Sequence, residues 1–542
     1  MRRRAVILSG LGAAGALVVG WGVLPPRERI GGVDAWPAAE GEVGLNGWIK
    51  IAADGVVLLA MPRSEMGQGV HTALAMLVGE ELDVPLERIR LVVAGPDRLY
   101  GNVANMVSTL PFFHPRDGES GNETRAARST RWVVAKAARE LGINVTGGSS
   151  SVVDAWDVLR LAAATARARL VGAASLLWKQ PADELSVVRG VVAHEASGVS
   201  AHYGMLARMA AATPPGNVVV KPRRQWSLLG TSASRIDLPA KVDGSAQFGV
   251  DVRLPGMLFA AIRHAPMLGG SPGPIDIAPA LALAGVERVV RLGPYAGSTA
   301  ALAVVGRTWW HAQRGAAAIG VEWRPGPGPL ADSGQIVDEL ERRARAALRE
   351  NGGFAFHRRG DIDAAEARAT RRIERVYRAP YLAHAALEPL NCTARVADGR
   401  AELWVPTQVP GLAREIAAGV AGVDESAVTL HLPYLGGGFG RRLEVDVVAQ
   451  AVRIALETAG RPVQLMWSRE EEFGHDFYRP AAAAAMSASL DESGLPMAWR
   501  FASAGDAVTP RWMERAVPRL SGRLDTPDKT ASEGLFDQPY AV

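Results

Sequence analysis

The sequence predicts a multi-domain protein of mixed α/β structure (α+β). A chain of 542 residues is longer than one hydrophobic core can organise, and its 48% apolar and 21% charged residues are ordinary for a globular protein. Strand patterns also alternate with helical patterns along the chain. Residues 428–432 form an apolar run typical of a strand, and residues 447–452 carry apolar side chains at helical spacing.

The first 26 residues have the pattern of a targeting segment. A basic start (MRRR) is followed by an apolar, Gly/Ala-rich stretch at residues 5–24 and then by two prolines. The pair Arg3 and Arg4 indicates a bacterial export signal of the twin-arginine type, and about 20 apolar residues are also long enough for an uncleaved anchor. We therefore expect a periplasmic protein, or one held on the inner membrane through its N-terminus and facing the periplasm.

A predicted β-hairpin comes next and leads into a glycine motif. Residues 47–51 and 56–61 have strand patterns on either side of an Asp-Gly turn. The motif EMGQG at residues 65–69 then precedes a helical pattern, which places the Gln68 amide at a helix start where it can face a ligand. A surface turn that caps the helix is the alternative.

A second glycine motif, TGGSSS, occupies residues 146–151. It precedes a helical pattern at residues 156–176, so its hydroxyl groups and glycines stand at a helix N-terminus. Such a junction suits a phosphate group as well as it suits plain capping.

The third motif, LGGGFGRR at residues 435–442, has four glycines in five positions between a predicted strand and a predicted helix. Glycine lets backbone amides approach a ligand closely, and Arg441 and Arg442 would add two guanidinium groups. We expect an anionic, phosphorylated ligand here. The motif lacks the Lys-Ser/Thr pair of a P-loop, so a tight turn is the alternative.

Composition excludes several classes of protein. A net charge of +4 without a basic tail or stripe gives no support for nucleic-acid binding. The single cysteine, Cys392, cannot form an internal disulfide, a Cys-rich zinc site or an iron–sulfur cluster, so an electron-transfer centre of that kind must belong to another chain.

Two further chemistries are disfavoured. His384 and Glu388 stand four residues apart and could join His431 and His475 around a metal, but Pro389 argues against the helix that such a pair needs. The Gly-x-Ser-x-Gly motif of many serine hydrolases is missing from the sequence.

The three glycine motifs, together with residues 404–408 and 235–249, resemble the molybdopterin-binding large subunit of the xanthine dehydrogenase / aldehyde oxidase family. Within it, they resemble the branch of the isoquinoline 1-oxidoreductase beta subunit, which includes membrane-associated aldehyde dehydrogenases. Proline- and glycine-rich stretches near residues 214–224 and 325–329 divide the chain. The predicted parts are an N-terminal molybdopterin-binding part (44–213), a linker (214–234), an α/β hammerhead domain (235–323), a connecting segment (324–370) and a second molybdopterin-binding domain (371–542).

The resemblance implies a set of cofactor-binding residues. Gln408 would lie near an apical molybdenum ligand, the Gly loop would line the metal and the pterin, and the other two motifs would bind the pterin and its phosphates. The cofactor is expected in its cytosine dinucleotide form. The implied residues are Gln68, Gly69, Gly148, Ser149, Ser151, Gln408, Gly438, Phe439, Gly440, Arg441 and Arg442.

The implied activity is hydroxylation of an N-heterocycle, or oxidation of an aldehyde, with oxygen from water. Electrons would pass to a small [2Fe-2S] subunit and then to a cytochrome or quinone. By resemblance the catalytic glutamate lies in a later segment than Val542, and Glu388 and Glu444 lie outside the family's catalytic context, so no catalytic residue is assigned. A truncated or degenerate paralogue that acts as a membrane-anchored scaffold is the alternative.

Overall fold

The computed structural model describes residues 26–95, 97–110, 124–328, 331–516, 518 and 527–535. Residues 1–25 of the predicted export segment lie outside them. The described residues fall into two compact units. The first takes its residues from segments 1–63, 69–108 and 123–242, and the second from segments 64–68, 109–122 and 243–542. Among the described residues, no helix is long and apolar enough to cross a membrane.

The first unit begins with a four-stranded sheet in the order β1-β2-β3-β4. Its strands are β1 (Glu42–Gly44), β2 (Ile49–Ala52), β3 (Val57–Met61) and β4 (Ile89–Val93). β2 and β3 pair antiparallel, which confirms the predicted hairpin. β4 runs parallel to β3 because helix α1 (Val70–Leu82) connects the two strands.

Helices complete this unit and form most of its core. They are α2 (Val103–Ser108), α3 (Arg125–Leu141), α4 (Ser151–Trp178), α5 (Tyr203–Ala212) and α6 (Leu238–Asp243). A small sheet consists of β5 (Ser186–Val188), β6 (Val191–His194) and β7 (Val199–His202). The Ala- and Leu-rich sequence of α4 favours a long helix, and its buried face joins α1 and the first sheet in one apolar cluster. α4 contains the helix predicted at residues 156–176.

The predicted linker, residues 214–234, packs against α1. Glu80 of α1 accepts hydrogen bonds from the successive backbone N–H groups of Ser227, Leu228 and Leu229. Burial alone would raise the pKa of Glu80, but these donors and Lys221 hold it below its ordinary value. The segment is a packed part of the first unit, while the domain boundaries themselves stay a prediction.

The second unit is built on a seven-stranded mixed sheet in the order β10-β11-β8-β17-β14-β15-β16. Its strands are β8 (Leu258–His264), β10 (Val286–Leu292), β11 (Ala301–Gly306), β14 (Asn391–Ala397), β15 (Arg400–Trp404), β16 (Val428–His431) and β17 (Val463–Met466). The pairs β17–β8 and β15–β16 are parallel, and the other pairs are antiparallel.

Smaller sheets and helices surround it. A two-stranded sheet pairs β9 (Ser271–Asp276) with β12 (Gly320–Arg324), and a three-stranded sheet consists of β13 (Arg371–Ala379), β18 (Ala482–Leu490) and β19 (Pro496–Gly505). The helices are α7 (Ala278–Leu281), α8 (Trp309–Ala318), α9 (Ser333–Glu350), α10 (Ile362–Ala367), α11 (Pro410–Ala421), α12 (Asp446–Ala455), α13 (Arg469–Gly474) and α14 (Thr509–Ala516). The mixture of sheets and helices in both units confirms the predicted fold class; the hammerhead assignment stays a prediction.

Candidate functional site

The Gly loop, residues 436–440, lies in the second unit between β16 and α12. The predicted strand and helix on either side of it are both present. A short 3-10 turn (Arg441–Leu443) separates the loop from the helix. Asp446 in the first turn of α12 is paired with Arg441, which places a negative charge at this helix N-terminus.

Four successive backbone N–H groups of the loop are open. In the part of the chain that the structure describes, the N–H groups of Gly437, Gly438, Phe439 and Gly440 donate no hydrogen bond. Gly437 and Gly438 are nevertheless buried. Three of the four residues have a positive φ: 99° at Gly437, 52° at Phe439 and 103° at Gly440. Buried N–H groups rarely lack an acceptor, and consecutive N–H groups in such a conformation form a concave donor site.

The two arginines after the loop support it from behind. Arg441 is 1% exposed and makes two hydrogen bonds to Asp446, at 3.0 and 2.8 Å, while its Nε lies 2.9 Å from Asp476 Oδ1. Arg442 pairs with Glu388 at 2.9 Å and donates to the Gly437 carbonyl at 2.8 Å. Both guanidinium groups thus bind groups of the chain itself. The sequence had led us to expect that they would bind an external anion.

Burial and ion pairing act in opposite directions on these arginines. Burial lowers the pKa of Arg441, but Asp446 and Asp476 outweigh it and raise the pKa above its ordinary value. Burial also lowers the pKa of Arg442, and there the opposing effect of Glu388 is the smaller one. Pairing with carboxylates is the condition on which such buried charges are tolerated.

Both carboxylates considered as alternative bases are engaged. Glu388 accepts hydrogen bonds from the Gly436 N–H (2.9 Å), the Val250 N–H (3.0 Å) and Arg442. Glu444 accepts a 2.6 Å hydrogen bond from Arg515. Burial raises the pKa of Glu444, and the Arg515 partner opposes that effect. Glu388 thus fixes the start of the Gly loop.

The first glycine motif lies beside the Gly loop. The Leu435 N–H donates to the Glu65 carbonyl (3.2 Å), and the Ser64 hydroxyl donates to the Thr407 carbonyl, 343 residues away in sequence (2.7 Å). A Cβ atom added to Gly438 would lie 2.5 Å from Met66 Sδ and 2.8 Å from Gln408 Oε1. Residues 64–68, Gln408 and the Gly loop therefore meet at one place.

The first motif uses its amide internally. Gln68 Nε2 donates to the Ser64 carbonyl (2.9 Å), and Gln68 Oε1 accepts from the Met66 N–H (2.6 Å). The amide closes its own loop, which differs from the expectation that it faces a ligand. Open space surrounds the Cβ positions of Gly67 and Gly69, whose φ values are 104° and 82°. Gly69 is the first-unit residue that precedes α1.

Phe439 is the exposed residue of the Gly loop. Its side chain is 72% exposed, and its φ of 52° lies in the left-handed region that side chains seldom adopt. Such an outlier costs free energy and is found where the surrounding structure imposes it, often at functional sites.

The second glycine motif lies in the first unit, at the start of α4. Gly148 and Ser149 have φ values of 58° and 53°, and α4 begins at Ser151. Within the described ranges, neither the N–H nor the hydroxyl groups of Ser149 and Ser151 form a hydrogen bond, and the Gly148 N–H donates none. Ser150 differs, because its buried hydroxyl donates to the Gly147 carbonyl (2.6 Å).

Asp154 anchors this helix start, and sequence reasoning missed it. Its carboxylate pairs with Arg29 (2.8 Å) and Arg63 (2.7 Å) and accepts the Val103 N–H (2.8 Å). Burial lowers the pKa of Arg63 to about 10, against the opposing effect of Asp154. The available signal was an acidic residue in the first turn of a predicted helix.

Among the described residues, His264, Glu471 and His475 form a candidate metal-binding group, with ligand atoms within 4.8 Å of one another. The hydrogen bonds argue against that use. Trp467 Nε1 donates to Gln450 Oε1 (3.1 Å), so the Gln450 amide nitrogen faces His264 Nε2 (3.0 Å). His264 Nδ1 must then carry the proton that it shares with Glu471 at 2.7 Å, and it has no lone pair for a metal. The metal site considered from the sequence is not formed. Two of its four residues have other partners: Glu388 pairs with Arg442, and His431 pairs with Glu402.

The comparisons with known proteins agree with the sequence motifs. Residues 347–522 and 10–105 match two families, each described as a molybdopterin cofactor-binding domain. The chain belongs to the molybdenum-binding subunits of the xanthine dehydrogenase family, which confirms the predicted family.

Within that family, the chain is 34% identical over 525 residues to the beta subunit of isoquinoline 1-oxidoreductase from Brevundimonas diminuta, which covers 88% of this chain and 60% of the relative. A membrane-bound aldehyde dehydrogenase of Gluconacetobacter polyoxogenes is 27% identical (95% and 62% covered), and a nicotinate dehydrogenase subunit of Pseudomonas putida is 26% identical (91% and 37%). The chain thus spans at most about three fifths of these relatives. Quinoline 2-oxidoreductase from Pseudomonas putida 86 matches with a TM-score of 0.39 and 20% identity, over 51% of this chain and 39% of that one.

Proposed function

We propose that this chain is the cofactor-binding subunit of a molybdenum hydroxylase, an oxidoreductase that hydroxylates an N-heterocycle or oxidises an aldehyde with oxygen from water. The observation that carries the proposal is the row of open N–H groups at residues 437–440, beside Gln408 and residues 64–68. The molybdenum cofactor supplies the oxygen-transfer and two-electron chemistry when bound. The chain's own residues position and polarise it.

The Gly loop suits the polar edge of a pterin ring better than a phosphate group. Its supporting residues carry two positive charges (Arg441, Arg442) and three negative charges (Glu388, Asp446, Asp476), a formal balance of −1. That balance disfavours a multiply charged anion, whereas a heterocycle with ring acceptors can still use four backbone donors. The open space at Gly67 leaves room for such a ring.

The second glycine motif suits a phosphate group. Arg29 and Arg63 contribute two positive charges against one negative charge on Asp154, a balance of +1 next to the open N–H groups at the start of α4. We assign Gly148, Ser149 and Ser151 to phosphate binding, in keeping with a cytosine dinucleotide form of the cofactor.

The partner proposed is a small iron–sulfur subunit, with a cytochrome or quinone as the later acceptor. Cys392 is buried, burial raises its pKa, and one such thiol cannot ligate a cluster. The Arg3-Arg4 pair supports export to the periplasm, with the start of the chain as signal or anchor.

The test is the molybdenum and cytidine monophosphate content of the chain, purified from a host that makes the cofactor, with and without the small subunit. We expect near-stoichiometric metal and nucleotide. Gly438→Ala should lower both, because its Cβ would collide with Met66 and Gln408, whereas Gly293→Ala enters open space and should not. Wild-type protein without metal in both preparations would refute the proposal and favour a cofactor-free scaffold.

A further inference from the structure

His384 stands at the Gly loop and is held by a buried carboxylate. Its backbone N–H donates to Asp476 Oδ2 (2.6 Å), and its Nδ1 lies 3.0 Å from both Asp476 oxygens. Asp476 is buried and is also paired with Arg441 Nε at 2.9 Å. The ion pair with Arg441 thus helps to fix the position of the carboxylate that orients the imidazole.

This arrangement leaves the other ring nitrogen as an acceptor. An ionised aspartate only accepts hydrogen bonds, so Nδ1 is the nitrogen that carries a proton, and this tautomer of imidazole has its lone pair at Nε2. Among the described residues, His384 Nε2 has no hydrogen-bond partner.

Gly440 keeps that nitrogen accessible. The atom nearest to a Cβ added at Gly440 is His384 Nε2, at 3.6 Å. A side chain at position 440 would therefore lie against the imidazole, and glycine leaves this space free. The residues next to this contact have strained backbones: φ is 49° at Ala385, which follows His384, and 52° at Phe439, which precedes Gly440.

We propose that His384 contacts the bound ligand and accepts a hydrogen bond at Nε2 from a polar N–H or O–H group above Gly440, with Asp476 as its positioning residue. The inference rests on the proposed function, since the ligand is the group that the Gly loop binds. It gives this site a proton acceptor made of the chain's own residues. Asp476 is the charged group in contact with His384, and Arg441 is in turn paired with Asp476.

The first test is modification by diethylpyrocarbonate, which attacks unprotonated imidazole nitrogen, followed by mass spectrometry of the peptides. The protein is prepared from a host that makes the cofactor and from a host that cannot. We expect His384 to react about tenfold more slowly in the loaded protein. A factor of ten corresponds to about 1.4 kcal/mol, the protection that one hydrogen bond at Nε2 would give. His431, which is exposed and paired with Glu402, is the internal control and should react equally in both.

The second test compares His384→Asn with His431→Asn. The asparagine amide can still donate to Asp476 but cannot reach the position of Nε2. We expect the loaded His384→Asn protein to lose its cofactor on gel filtration about tenfold faster than wild type, with an unchanged circular dichroism spectrum, whereas His431→Asn should behave as wild type.

The outcomes separate the two proposals. Loaded wild-type protein in which His384 is unprotected, or a His384→Asn variant that keeps its cofactor as wild type does, would overturn the inference and leave the proposed function standing. Wild-type protein that carries no pterin would overturn the proposed function and this inference with it.

Discussion

Each unit places a buried charge cluster behind an open glycine motif, and the two clusters have opposite signs. In the first unit a single carboxylate, Asp154, is bound by two arginines, Arg29 and Arg63. In the second unit a single guanidinium group, Arg441, is bound by two carboxylates, Asp446 and Asp476. The same structural problem, fixing a loop whose N–H groups stay open, is solved by inverse arrangements of charge.

The difference has a consequence for binding. The positive cluster behind the start of α4 adds to the partial charge of the helix end and favours a phosphate group. The negative balance behind the Gly loop opposes a dianion and leaves recognition to the backbone donors. The arginines of the GGGFGRR motif therefore stabilise the loop, while the positive charge near the second motif is supplied by Arg29 and Arg63, which lie outside the three motifs.

The largest effect is expected on removal of the central carboxylate of the first unit. Asp154→Asn leaves Arg29 and Arg63 without a counter-charge, and Arg63 is fully buried. Breaking a buried pair in this way costs about 3–5 kcal/mol in the free energy of unfolding. Denaturant unfolding followed by circular dichroism would measure it.

The control is Glu87→Gln, which removes the exposed pair with Arg189 and should change stability by less than about 0.5 kcal/mol. If Asp154→Asn were no more destabilising than this control, Asp154 would not be the anchor of its unit.

A smaller effect is expected when one of two carboxylates is removed. Asp446→Asn takes one partner from Arg441 and leaves Asp476, so the guanidinium group keeps a counter-charge. We expect the free energy of unfolding to fall by about 2 kcal/mol, which is typical for the loss of one hydrogen bond to a charged group. An unpaired buried charge would cost more. A loss as large as that of Asp154→Asn would show that the second carboxylate does not compensate and that the clusters are not inverse equivalents.

Local structure at the site could be predicted from sequence, because it depends on neighbouring residues. The strand before the Gly loop, the helix α12 and the hairpin at residues 49–61 follow from hydrophobic period and turn residues. The contact between Ser64 and Thr407 could not, since it joins residues 343 apart. Nor could the burial of Arg441, because a Gly-Arg-Arg sequence is equally compatible with guanidinium groups that face solvent, and only the carboxylates brought by α12 and by Asp476 decide between them.

The second unit should also lose stability on mild acidification. Burial lowers the pKa of His475 to about 4 from its ordinary 6.5. As the pH falls from 6.5 to 4 the unfolded chain binds a proton that the folded protein does not, so the stabilisation is complete above pH 6.5 and is lost towards pH 4. We expect about 2 kcal/mol after allowance for partial exposure.

Unfolding of wild type and His475→Gln as a function of pH would isolate this contribution from that of the carboxylates. The variant should have the shallower dependence between pH 6.5 and 4. Identical profiles would mean that the pKa of His475 does not differ between the folded and unfolded states.

The smallest change in stability is expected at the second glycine motif, where binding and stability should separate. The hydroxyl groups of Ser149 and Ser151 form no hydrogen bond with the described residues, so Ser149→Ala with Ser151→Ala should alter the free energy of unfolding by less than about 0.5 kcal/mol. If these hydroxyls bind phosphate, the same double variant should lose most of its cytidine monophosphate.

Ser150→Ala is the matched control, and it should show the reverse pattern. The buried Ser150 hydroxyl bonds to Gly147 and Asn102, so its removal should lower the free energy of unfolding by about 1–2 kcal/mol. A double variant that keeps its nucleotide would leave the helix start with a capping role alone.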